Sequence, residues 1–133
     1  MTGRCDECGF DAGTVSVPDA IVTLRSMPRR WRGALALMDD DEGDVLRQRP
    51  ADGSPSAIEH AEAARDALGG SSAGDVVDAI AAAAEQRAEA AAHVDADEWR
   101  DPKRLGALMD AVHAAVHHLR GAQHALDAVR HRR

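Results

Sequence analysis

The sequence predicts an all-α protein, a four-helix bundle preceded by a short Cys-x-x-Cys extension, and three observations carry that prediction. Apolar residues recur at helical spacing in four separate stretches. Each stretch opens on a capping residue or an early proline, and the second closes on Gly69-Gly70. The third holds a long alanine run, and alanine has the highest helix propensity of any residue. The expected helices lie near 17–38, kinked at Pro28, then 55–68, 73–94 and 102–131. Residues 1–15 are expected to form the Cys-x-x-Cys segment, packed outside a bundle built from 16–133.

Ser16 caps the first helix, Asp19 lies in its first turn, and Ile21, Leu24 and Met27 start the apolar stripe. Beyond Pro28 the stripe resumes through Trp31, Leu35 and Met38, so one kinked helix or two short ones are expected. The acidic run Asp39-Asp40-Asp41-Glu42 follows and reads as a solvated loop, because carboxylates at a helix C-terminus oppose its dipole. A polar connector then leads to Ser54-Pro55, a cap and first-turn pair for the second helix. That helix has a poor apolar stripe, so its inner face must be rich in alanine or accept polar groups. Ser72-Ala-Gly-Asp75 opens the third helix, whose alanines each bury little area and anchor it weakly. Asp101-Pro102 opens the last, which carries a continuous apolar stripe. The buried seam is expected to contain Trp31, Leu35, Ile58, Ile80, Leu108, Val112, Val116 and Leu119.

Composition excludes several classes of function. The 133 residues can bury about two thirds of their unfolded surface without staples, so a metal need not be structural. With a formal charge of -7, no Tyr, one Phe and two Trp, the chain has neither a basic field for phosphates nor aromatic platforms for bases. Nucleic acid is therefore not an expected partner, and the basic end Arg130-His131-Arg132-Arg133 reads as charge favoured by a helix C-terminus. No apolar run reaches the roughly 18 residues of a membrane span, no apolar signal core opens the chain, and a cytoplasmic location is expected. Cys5 and Cys8 are too close together to staple a fold.

Two motifs carry chemistry. Cys5-Asp-Glu-Cys8-Gly has the form of a zinc-knuckle turn that aims both thiolates at one ion, but it is half of such a site. A redox dithiol and ordinary free thiols are the competing readings. His113 and His117, four residues apart, lie roughly 40° apart on one helix face and can reach one ion together. His118 points elsewhere, while His124 and His131 return to the His113 stripe. A histidine-rich surface stripe is the bland alternative, and a metal at this pair needs a further protein ligand. For a site at Cys5 and Cys8, His93, His124, Asp6 and Asp11 are the available additional ligands.

Trp31 after a proline, the run Ser56-Ala-Ile-Glu59-His60-Ala-Glu-Ala-Ala-Arg65-Asp66-Ala-Leu68, Trp99-Arg100, and Val112-His113-Ala-Ala-Val-His117-His118-Leu119 together resemble the DinB-like superfamily. That superfamily comprises metal-binding four-helix bundles and includes mycothiol-dependent, maleylpyruvate isomerase-like enzymes. The Cys-Asp-Glu-Cys-Gly-Phe opening looks like a lead-in of some bacterial members. The resemblance implies a histidine ligand on the second helix and a His-x-x-x-His pair on the last, which maps onto His113 and His117. The family pattern puts the first ligand at Ala63, and this chain has His60 one turn earlier. His60 lies about 60° around the helix from that position and Glu59 about 40° on the other side, so either is a candidate substitute.

The expected centre is thus a divalent metal, zinc or nickel, on His60, His113 and His117, with Glu59 in place of His60 as a variant and Cys5 with Cys8 as a second site. By resemblance the function is a mycothiol-type thiol-dependent transferase or a metal-dependent hydrolase, with a small-molecule thiol or an electrophilic substrate as partner. A homodimer is left open. The alternative is a catalytically degenerate bundle, an interaction or stress-associated protein without a complete metal site, which the Ala63 position favours.

Overall fold

Local capping chemistry sets where each helix begins. The Ser16 hydroxyl accepts from the Asp19 amide at 3.1 Å, and α1 runs Val17–Ala36 as one helix through Pro28. The computed structural model describes residues 4–36 and 43–130; the expected positions of Met38, the acidic run 39–42 and His131 lie outside them. On α1, Ala20, Leu24, Met27, Trp31 and Leu35 are all buried, an unbroken stripe at helical spacing.

A short helix, α2 (Gly43–Arg47), occupies part of the stretch expected to be a polar connector. Its buried Val45, with Leu46 half-buried beside it, provides the apolar anchor that the neighbouring charges obscure. The next cap is Ser56, not Ser54: α3 runs Ala57–Leu68, Ser56 accepts from the Glu59 amide, and the Glu59 carboxylate accepts from the Ser56 amide. This reciprocal pair is a capping box, and Ser54 instead takes part in a turn with Asp52. Gly69 ends α3 at φ +79°, a left-handed conformation that glycine adopts without strain. The inner face of α3 is Ala57, Ala61, Ala64 and Leu68, rich in alanine as expected, and it leaves the expected core residue Ile58 only half-buried at the side.

The third long helix, α4 (Val76–Ala92), starts at an Asp75 cap, three residues later than expected, because Gly74 ahead of it turns at φ +80°. A 3-10 turn over Ala96–Arg100 leads into α5 (Pro102–Arg130), where the Asp101 carboxylate accepts from the Lys103 amide at 3.0 Å. Among the described residues the chain is helical without strands, apart from an isolated bridge between Arg4 and Asp11. Helix α1 lies against α4 and α5, and α3 against the same two, so four long helices enclose one core. Val112 and Leu119 sit inside that core, whereas Val116, expected there, packs half-buried at its edge. This edge faces the N-terminal segment. No described helix is long and apolar enough to cross a membrane.

Candidate metal centre

The N-terminal segment folds back on itself before it meets the helices. The Cys5 amide donates to the Phe10 carbonyl at 2.7 Å and the Gly9 amide to the Cys5 carbonyl at 2.8 Å, with Gly9 at φ +79°. The turn directs Cys8 inward, to 7% exposure, and leaves Cys5 partly accessible. Phe10 stacks on His113 with ring centroids 5.1 Å apart and planes 8° from parallel, which docks the turn on α5. The segment expected to lie outside the bundle thus supplies donors to the histidine pair.

One ligand atom from each of Cys5, Cys8, His113 and His117 lies within 4.8 Å of the other three, and this group could hold a metal ion. In a tetrahedral zinc site with bonds of about 2.0–2.3 Å, neighbouring donors stand roughly 3.3–3.8 Å apart. Cys5 Sγ and His117 Nδ1 are 3.8 Å apart, at the upper end of that range, and any pair nearer the 4.8 Å limit of the group would have to draw in to share an ion. The other nitrogen of His117, Nε2, stands 3.3 Å from the Glu7 carboxylate, the arrangement that fixes a ligating imidazole in one tautomer. His113 Nε2 is buried without a hydrogen-bond partner, a cost that an ion or a rearranged turn would remove.

The thiols are unequal. Hydrogen bonding from the Cys8 backbone, then from His113, brings the Cys5 thiol down to about 6. Burial pushes the Cys8 thiol up, and the neighbouring Cys5 charge adds to the effect. Cys5 is therefore the thiol that ionises first.

His60 is not among the four. Its Nδ1 lies 3.1 Å from His118 Nδ1, and burial, followed by nearby imidazole charge, lowers both rings, His118 to about 4. The rings stay neutral near pH 7, one donating and one accepting. His60 sits directly over Gly121, where a Cβ would collide with the ring. Gly121 is the sequence signal for this contact, since a glycine in the middle of a helix costs about 1 kcal/mol and so points to close packing against a neighbour. Glu59 is also committed elsewhere: Arg49 binds it through two nitrogens at 2.8 and 2.6 Å and holds its carboxyl at about 2.

The remaining candidates for the cysteine site lie elsewhere. His93 caps α4 and bonds the Glu89 carbonyl, Asp11 accepts from the Gly13 amide, His124 is exposed, and Asp6 stays outside the group of four. The four clustered donors lie in two separate motifs of the sequence, each of which on its own implies a separate site. Their combined spacing, Cys-x-x-Cys and His-x-x-x-His, is the pattern of a Cys2His2 zinc site and was the available signal. Beside the centre, a cleft of about 530 Å³ is lined by His60, His117, Arg120, His124, Glu7 and Asp52, among others. Comparison with known proteins found no matching family model, no matching curated protein and no matching solved structure, so the site's own chemistry must carry the functional reading.

Proposed function

We propose that the chain is a zinc-binding, DinB-like four-helix-bundle protein in which Cys5, Cys8, His113 and His117 hold the ion. The convergence of these donors within 4.8 Å carries the reading. Two thiolates balance the double charge of the ion, and soft sulfur in a four-coordinate setting favours zinc over nickel. Four protein donors fill a tetrahedral shell, so the ion acts first as a tie between the N-terminal turn and α5.

A second reading is the thiol-dependent transferase or hydrolase that the family resemblance implies. The partly exposed Cys5 and the adjacent cleft support it. In that case Cys5 yields its place to mycothiol, a similar small thiol, or water, whose pKa a bound zinc ion lowers.

Metal content of the purified chain tests the first reading. Stoichiometric zinc is expected in the wild type and in His60→Ala, and almost none in Cys5→Ser/Cys8→Ser or His113→Ala/His117→Ala. A chelator should also speed alkylation of both cysteines. A wild type without zinc, whose thiols react at one rate with and without chelator, would leave the degenerate bundle as the better description. The second reading further requires conjugation of a thiol to an electrophile, or hydrolysis, that disappears in the double-histidine variant.

A further inference from the structure

A second cavity of about 310 Å³ opens between α1, α5 and the cysteine turn and shares the exposed Arg120 with the 530 Å³ cleft. Arg30 of α1 and Arg120 of α5 both line it, with Gly9 and Asp11 of the turn and Thr23 of α1. Elsewhere Arg25, Arg32, Arg49, Arg65, Arg100 and Arg104 each reach a carboxylate. Arg30 and Arg120 have no such partner among the described residues, nor do Arg4, Arg29 and Arg47, but Arg30 and Arg120 stand out by lining one cavity together in a chain with an excess of acidic groups, 23 against 16. The one carboxylate on the cavity wall, Asp11, accepts from the Gly13 amide and forms no ion pair with either arginine.

We infer that Arg30 and Arg120 form a binding site for a phosphate-type dianion, inorganic phosphate or a phosphomonoester end. Two guanidiniums against the single wall carboxylate of Asp11 leave a net positive site, and each offers planar, bidentate donation to oxyanions. A carboxylate has two oxygens, enough for one bidentate pair, whereas a phosphate group presents oxygens to both guanidiniums. Burial, and after it the Arg120 charge, pulls the Arg30 guanidinium below its ordinary value, so the pair opposes itself until an anion arrives. The cavity exceeds the volume of a bare phosphate, leaving space for the group that carries it. This inference does not depend on zinc, although Gly9 and the buried Cys8 place the anion against the metal-binding turn.

The test is titration of the full chain with inorganic phosphate at constant ionic strength, followed by calorimetry and phosphorus NMR. Saturable binding is expected, with sulfate competing and acetate not. Arg30→Gln and Arg120→Gln should each weaken it roughly tenfold or more, Arg120→Lys less, and Arg29→Gln, on the exposed side of α1, not at all. Far-UV circular dichroism confirms that each variant is folded. Absence of saturable binding, or equal binding by the Arg30→Gln/Arg120→Gln double variant, overturns the site. Acetate competing as well as sulfate overturns the dianion assignment.

Discussion

The histidines of α5 divide between two neighbours: His113 and His117 meet the N-terminal turn, and His118 meets His60 of α3. His113 and His117 face Cys5 and Cys8, with four donors gathered within 4.8 Å and His113 Nε2 left without a partner. His118 pairs with His60, each ring satisfying the other through Nδ1 atoms 3.1 Å apart, and meets His117 only edge-on, with ring centroids 5.0 Å apart. A metal site needs donors that converge and remain available, and only the first group meets both conditions. The second is a polar contact between helices, seated by a glycine. Histidine density along α5 does not separate the two; the facing element does.

Removing the metal should break this comparison most sharply. Zinc held by the proposed four donors, at a free concentration about 100 times its dissociation constant, would contribute ~2.7 kcal/mol, which a chelator or Cys5→Ser/Cys8→Ser should abolish in chemical denaturation. His60→Ala should keep its chelator sensitivity; loss of that sensitivity would merge the two groups into one site.

Acid probes the second group, in a Cys5→Ser/Cys8→Ser background that removes competition from the ligands. His118 lies at about 4 in the fold against an ordinary 6.5, so the unfolded chain takes up the proton first. The contribution is complete above about pH 6.5 and is lost as the pH falls towards 4. Allowing for solvent screening, we expect a decline of about 1–2 kcal/mol, measured by urea denaturation across that range. His118→Gln should flatten the profile, and an unchanged slope would show that the ring is not the group responsible.

The smallest effect is expected at Gly121. Overpacking against His60 costs about 1–3 kcal/mol and the gain in helix propensity returns about 1, so Gly121→Ala should lose about 1 kcal/mol. In a His60→Ala background the same change should stabilise. Zinc content should be unaffected in both, and a lower zinc content in either would couple the groups.

Helix positions were legible because their causes are local. Ser16, Gly69 and Asp101-Pro102 act within one turn, and the α5 stripe repeats often enough to survive single errors. Where two local signals competed, the shift was small: Ser54-Pro55 looked like a cap, but Ser56 has the reciprocal Glu59. Ile58 was misplaced because packing between α3 and its neighbours selected an alanine face over the larger side chain. Val45 was overlooked because one short apolar pair among charges carries no periodic signal.

The sequence by itself determined the donor types and their two local spacings, since a Cys-x-x-Cys turn and a histidine pair on one helix face are products of backbone geometry within a few residues. Only the tertiary structure decided that the two halves share a centre. Cys5 and His117 stand 112 residues apart in the chain, and no local rule specifies a meeting over that distance. It follows from Phe10 stacking on His113 at the edge of a core that holds α5 in place, and from a capping box, an Arg49 pair and a Gly121 seat that commit Glu59 and His60 elsewhere.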